Sequence, residues 1–180
     1  MVEVRPADRN IDEDYPENLA MRPLDRIDCE ILARLQKNAR ISNKELAAAV
    51  DIAPSTCHER VRRLDADGVI RGAHAEVDAE AVGVGLQALV AVRIGQHARP
   101  VVEAFEAHAL GLDEVVQVFH TTGANDFLVH VAVRDAEHLR DLALTAFTER
   151  PEVVHIETAL LFAHHRTHGL PLYADRSASS

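Results

Sequence analysis

The decapeptide STCHERVRRL, residues 55–64, sets Arg60, Arg62 and Arg63 within four positions on a 180-residue chain whose formal net charge is -10. Advancing about 100° per residue, as a helix does, Cys57, Val61 and Leu64 fall in one apolar stripe. Ser55, Thr56, Glu59, Arg60, Arg62 and Arg63 fall on the opposite side. The stretch therefore reads as one amphipathic helix. Its polar side has two readings: a face that contacts something, or a solvated face with an internal Glu59–Arg63 pair at i, i+4 spacing.

The flanking sequence bears on that choice. Upstream, Leu24, Ile27, Ile31 and Leu35 recur at helical spacing, and the chain turns at Ala39 and Arg40. Ser42 followed by Glu45 is a capping-box pattern that opens a second, short helix with Leu46, Ala47 and Val50 on its apolar side. Pro54 suits the first turn of the third helix, where its missing N–H costs nothing, and Gly68 stands where a left-handed residue closes it. Three helices in such a short span, the last two tightly connected, have the spacing of a helix-turn-helix. The polar face then suits a helix that inserts its first turns into a major groove. Ser55 and Thr56 have hydroxyls for base edges, Glu59 can accept from cytosine, and Arg60, Arg62 and Arg63 can read guanine or clamp phosphate.

The acidity of the chain does not oppose this reading. Residues 24–72 hold nine Lys or Arg against eight Asp or Glu, whereas residues 1–23 and 73–180 carry nearly all the excess acid. A duplex feels charge within about one Debye length, roughly 8–10 Å at ordinary salt, so the local patch matters more than the total.

Beyond Gly68, residues 69–78 read as an extended piece and residues 78–85 as a hinge. Residues 86–95 form a buried-strand pattern. Val101, Val102, Phe105 and Ala109 mark one side of a helix over residues 99–110. Residues 113–122 and 125–134 alternate as strands joined at Gly123-Ala124, with Phe127, Val129, Val131 and Val133 on one face. A helix over residues 135–150 and a last strand over residues 152–165 complete the order βαββαβ, a ferredoxin-like plait. The expected fold class is α+β, with an N-terminal helix-turn-helix, winged-helix-like, and the plait behind it.

Composition excludes several other classes. Hydrophobic content of 47% beside 27% charged residues describes an ordinary globular chain, and no apolar run approaches the roughly 18 residues of a membrane-spanning helix. The acidic start resembles no signal or transit peptide, so a cytoplasmic, nucleoid-associated protein is expected. Cys29 and Cys57 fall singly in helical patterns, as small buried residues of a reducing compartment. Among the eleven histidines, His164, His165 and His168 invite a metal, yet no Cys or carboxylate cluster accompanies them, and no metal site or cofactor is expected. No nucleophile with an orienting base and no phosphate loop is found, so the chain does not read as an enzyme. A metal-sensing winged-helix repressor is the alternative reading.

The sequence resembles the Lrp/AsnC, or feast/famine, family of transcription regulators. The likeness runs from Leu24 to about His165 and rests on LDRIDCEILARLQKNARISNKELA, STCHERVRRLDADGVIRG and TTGANDF in this order. It implies binding to double-stranded DNA, a plait of the RAM type that dimerises through its sheet, dimers assembling to a tetramer or octamer, and an amino acid as allosteric effector. The expected divisions are a disordered acidic extension 1–23, a DNA-binding domain 24–72, a hinge 73–85, a RAM domain 86–168 and a tail 169–180. Asp51 and Ala53 stand where many relatives have Gly and Ser; Asp tolerates a left-handed turn, while Ala53 lacks a capping oxygen.

Chemistry suggests an effector site in the same motif. A free amino acid needs N–H donors for its carboxylate and an acceptor for its ammonium. Gly123 permits close backbone approach, the Ala124 and Asn125 N–H groups suit the carboxylate, Asp126 suits the ammonium, and Thr121 and Thr122 add hydroxyls. The same residues also make an ordinary hairpin turn.

Overall fold

A computed structural model of the chain describes residues 23–167 and 169–173. These divide into two compact units. One holds the described residues up to Ala75 together with those from Arg166 onward, and the other is Glu76–His165.

In the first unit, α1 (Arg26–Lys37), α2 (Asn43–Ala49) and α3 (Pro54–Ala66) enclose one core. Ile31, Leu32 and Leu35 of α1 meet Leu46, Ala47 and Val50, and the expected stripe of Cys57, Val61 and Leu64 closes the cluster. Local chemistry sets each boundary. Ser42 and Glu45 form the capping box that starts α2. A second box, between Asp25 and Asp28, starts α1. The turn between α2 and α3 has Asp51 left-handed, at φ 54°. Ala53 caps α3 with no side-chain bond. The exit of α3 is a Schellman turn: Gly68 has φ 70°, its N–H donates to Asp65 O at 3.1 Å, and the Val69 N–H donates to Leu64 O at 2.9 Å. Residues 69–78, expected as an extended piece, bend at Val69 and Ile70 and then form neither helix nor strand. Near the other end of the chain, the Gln36 amide exchanges hydrogen bonds with the backbone of Leu170, one of them donated by Nε2 to Leu170 O at 3.4 Å. The expected extension 1–23, apart from Pro23, lies outside the described residues, as does the tail from residue 174.

In the second unit the expected hinge contains a short 3-10 turn, Glu80–Val82. Four antiparallel strands follow with their helices: β1 (Leu86–Ile94), α4 (Arg99–Leu110), β2 (Val115–His120), β3 (Phe127–Val133), α5 (Ala136–Leu142) and β4 (Val153–Leu160). Their order across the sheet, β2-β3-β1-β4, is that of the expected plait. Alternation sends Ala88, Val90, Val92 and Ile94 of β1, with Phe127, Val129, Val131 and Val133 of β3, to the face that α4 and α5 cover. Phe105 lies between Phe127 and Phe147, with ring centroids 4.6 and 6.3 Å away. On the opposite face Leu89, Ala91, Leu128 and Ala132 are half-buried, and buried His130 bonds through Nε2 to Gln87 Oε1 at 2.9 Å.

Two elements depart from simple periodicity. In β2 a register shift between Val115 and Gln117 breaks the expected alternation. The second plait helix continues past α5 as a π-helical stretch, Ala143–Thr148. There the Glu149 N–H reaches back to Leu144 O at 3.0 Å, and Ala146 O faces His108 Nε2 of α4 at 2.9 Å. The wider turn turns the consecutive residues Ala146 and Phe147 both into the core.

Candidate functional site

The first unit presents α3. Its first turn has no side-chain cap, so backbone N–H groups at that end stay available to an outside acceptor. The Asn43 side chain at the start of α2 donates to Pro54 O at 2.8 Å and fixes the start of α3 against α2. Ser55, Thr56, Glu59 and Arg62 are exposed, and so is His58, one helical turn before Arg62. The sequence reading missed His58; its i, i+4 relation to Arg62 was the available signal.

Arg60 and Arg63 are engaged within the unit, which the sequence reading did not foresee. Both guanidinium groups turn onto α1. Arg60 Nη1 lies 2.7 Å from Asp25 Oδ2 and 2.7 Å from Asp28 Oδ1. Arg63 Nη2 bridges the two Asp28 oxygens at 3.0 and 3.1 Å, so the alternative Glu59–Arg63 pair is replaced by a longer-range one. The Asp28 side chain is 1% exposed, against 20% for Arg60 and 35% for Arg63. Burial works to raise the Asp25 carboxyl, but the Arg60 guanidinium and the Asp28 N–H outweigh it and hold the group below its ordinary value. Hydrogen bonds to Asp25 and then Asp28 hold Arg60 above its own. Cys29 and Cys57 are buried, and burial pushes the Cys57 thiol up, so it packs rather than reacts.

In the second unit the six candidate ligand residues form one loop. It closes by the Thr121 N–H donating to Asp126 O at 2.8 Å, while the Thr121 hydroxyl donates to Asn125 O at 2.9 Å. Gly123 has φ 132°, a conformation that a side chain would strain. Thr122, Gly123 and Ala124 are exposed, and Asn125 is half-buried. Asp126 is already in use. Its N–H donates to Val92 O at 2.9 Å, and its Oδ2 accepts the Ile94 N–H at 2.8 Å, standing in for a backbone carbonyl where β3 has turned away into the loop. Its other oxygen lies 3.2 Å from His97 Nδ1, with Asp126 15% and His97 68% exposed. The carboxylate is thus half structural, with its other oxygen facing a solvent-exposed histidine. His120 stacks on Phe127 beside the loop, ring centroids 4.8 Å apart.

Sequence reasoning also missed an open cleft of about 610 Å³, where Gly95 and Gln96 leave β1 and Pro100, Val101 and Ala104 begin α4. The Arg150–Glu152 ion pair, at 2.5 Å, forms its polar rim. No periodicity signals such a cleft, because the segments around it lie far apart in the chain. Among the described residues no three His, Cys, Asp or Glu side chains stand close enough to hold a metal ion; His168 lies outside those residues. No described helix is long and apolar enough to cross a membrane.

A three-helix reading unit followed by a βαββαβ plait defines a transcription regulator that joins a helix-turn-helix to a ligand-binding domain. Residues 24–71 match the winged helix-turn-helix DNA-binding family, and residues 87–170 match the Lrp/AsnC ligand binding domain. The HTH-type transcriptional regulator AldR of Mycolicibacterium smegmatis is 44% identical over 151 residues, spanning 84% of this chain and 88% of that protein. AldR of Mycobacterium tuberculosis is 42% identical over 79% of this chain and 80% of its own. A Neisseria meningitidis transcriptional regulator, solved in complex with L-Met, superposes with a TM-score of 0.75 at 32% identity, over 83% of this chain and 97% of that one. The chain belongs to the Lrp/AsnC family of transcriptional regulators and, like these relatives, is a DNA-binding regulator rather than an enzyme.

Proposed function

We propose that this regulator responds to an amino acid bound at the loop Thr121–Asp126 and controls genes of amino-acid metabolism or transport. The observation that carries the reading is the Asp126 carboxylate, with one oxygen anchored to Ile94 N–H and the other facing a solvent-exposed histidine. An effector ammonium displaces His97 from that oxygen, and the N–H groups of exposed Ala124 and half-buried Asn125 serve the effector carboxylate. The L-Met complex of the Neisseria relative supports the ligand class.

DNA is read by Ser55, Thr56, Glu59 and Arg62 of α3, with His58 beside them; Arg60 and Arg63 act from behind. Residues 24–72 form the reading domain, residues 73–85 the linker, and residues 86–168 the effector domain. The half-buried apolar face of the sheet, with Leu89, Ala91, Leu128 and Ala132, joins two copies into a dimer that assembles to a tetramer or octamer in the cytoplasm on the nucleoid. A single reading unit of nearly neutral charge binds weakly, and pairing two across a pseudo-palindrome supplies the remaining affinity.

The test is a thermal-shift screen of the twenty amino acids on wild type and Asp126→Asn, followed by a titration of a DNA duplex selected from a random pool. The Asn variant keeps an acceptor for Ile94 N–H and loses the charge. A ligand that shifts wild type and not the variant supports the site; equal shifts in both move it elsewhere.

A further inference from the structure

Two of the three arginines on α3 are committed to one buried carboxylate. We infer that Asp28 is a positioning residue that withholds Arg60 and Arg63 from DNA phosphates, so that the reading helix contacts the duplex through Arg62 and its exposed polar neighbours with less sequence-independent attraction than its composition suggests.

The argument begins with burial. Asp28 sits at the third position of α1, and its Oδ2 accepts the Asp25 N–H at 3.3 Å as part of the capping box. At 1% exposure its charge is cut off from water, so it needs the guanidinium groups it holds. Arg60 reaches Asp28 and Asp25 with the same nitrogen, and Arg63 lies astride both Asp28 oxygens. Turning either arginine to a phosphate breaks its bonds to a buried carboxylate. Two guanidinium groups of a helix whose sequence reads as basic thus face carboxylates of α1.

This division has a consequence for selectivity. Non-specific affinity for DNA rises with the number of phosphates neutralised, and each adds about 0.9 to the slope of log affinity against log salt. Base reading depends instead on the few side chains that reach base edges. Holding two arginines back lowers the first term and leaves the second untouched, while the same bonds fix α3 against α1.

The experiment uses the full chain and a duplex of about 30 base pairs with scrambled sequence, titrated by fluorescence anisotropy at several salt concentrations alongside a melting curve. Asp28→Asn removes the charge and one of the two acceptor oxygens, so it keeps an acceptor for Arg60 or for the Asp25 N–H but not for both, and it takes away the two-oxygen hold on Arg63. The variant should melt lower yet bind the scrambled duplex several-fold more tightly at low salt, with a slope steeper by about one phosphate equivalent. An unchanged or shallower slope, with affinity falling as the melting temperature falls, would make Asp28 a structural brace only and overturn the inference. A second variant keeps the test open should the first not fold. Arg63→Gln leaves Arg60 on Asp28 and removes a cation that is already withheld, so the slope should match wild type. A slope shallower by about one would show that Arg63 touches phosphate in the wild type.

Discussion

The helical unit and the ligand loop each present an acidic group engaged by basic side chains, and the two engagements differ in kind. Asp28 is sealed at 1% exposure under two arginines that are themselves largely covered. Asp126 is 15% exposed and shares one oxygen with a histidine that is 68% exposed. A sealed pair is a permanent part of the fold, whereas a pair open on one side can exchange its partner. The first unit therefore uses its carboxylate to hold charge still, and the plait uses its carboxylate to receive charge from outside.

The largest expected effect breaks the sealed pair. Asp28→Ala strips two guanidinium groups of their shared partner and removes the capping-box acceptor. Its cost approaches, without reaching, the roughly 3–5 kcal/mol of a fully buried pair, since Arg60 keeps Asp25 and both arginines can rehydrate. Denaturant melts should register it; a loss below about 0.5 kcal/mol would mean that the pair is no more than a surface contact. Asp126→Ala comes next. It orphans the Ile94 N–H, at about 1–3 kcal/mol, and should abolish any amino-acid response as well. Loss of stability with a normal response would make Asp126 a turn residue and place the pocket elsewhere, the cleft beside Gly95 being the first alternative to probe.

Acidification sharpens the contrast. Burial, and then the neighbouring His164, lower the His130 pKa. Below the ordinary histidine value of about 6.5 the unfolded chain takes up that proton first, so this residue's contribution to stability declines as pH falls through that point. Asp25 is held below its ordinary value, so its contribution persists above about 3.9 and is lost only as pH falls further. Melting temperatures across pH should separate the two. His130→Gln should flatten the dependence between about pH 6.5 and 5, and Asp25→Asn should alter it only below about pH 4. A His130→Gln curve parallel to wild type would remove His130 from the account.

The smallest expected effect is a gain. Ala53 caps α3 without a side-chain bond, so Ala53→Ser should stabilise the first unit by about 0.5–1 kcal/mol. An unchanged melting temperature would mean that another acceptor already serves the first turn of α3.

Most of the fold was legible because its signals are local. Ser42 and Glu45 announce the start of α2 three residues apart, Pro54 and Gly68 bracket α3, and the alternation from Phe127 to Val133 identifies β3. The breaks in β2 and at the π-helical stretch were not legible. The π turn answers to packing rather than to propensity, since it puts both Ala146 and Phe147 into the core and brings Ala146 O to His108.

Which side chains carry charge, and on which face of which element, follows from the order of residues alone, because helical and strand periods, caps and left-handed turns act over about four residues. Whether a given charge is available to a ligand follows only from tertiary structure. Arg60 meets Asp25 across 35 positions, and the Asp126 carboxylate meets Ile94 N–H across 32. A helical wheel places Arg60, Arg62 and Arg63 on one polar face; α1, packed against one flank of that face, binds Arg60 and Arg63 and leaves Arg62 exposed.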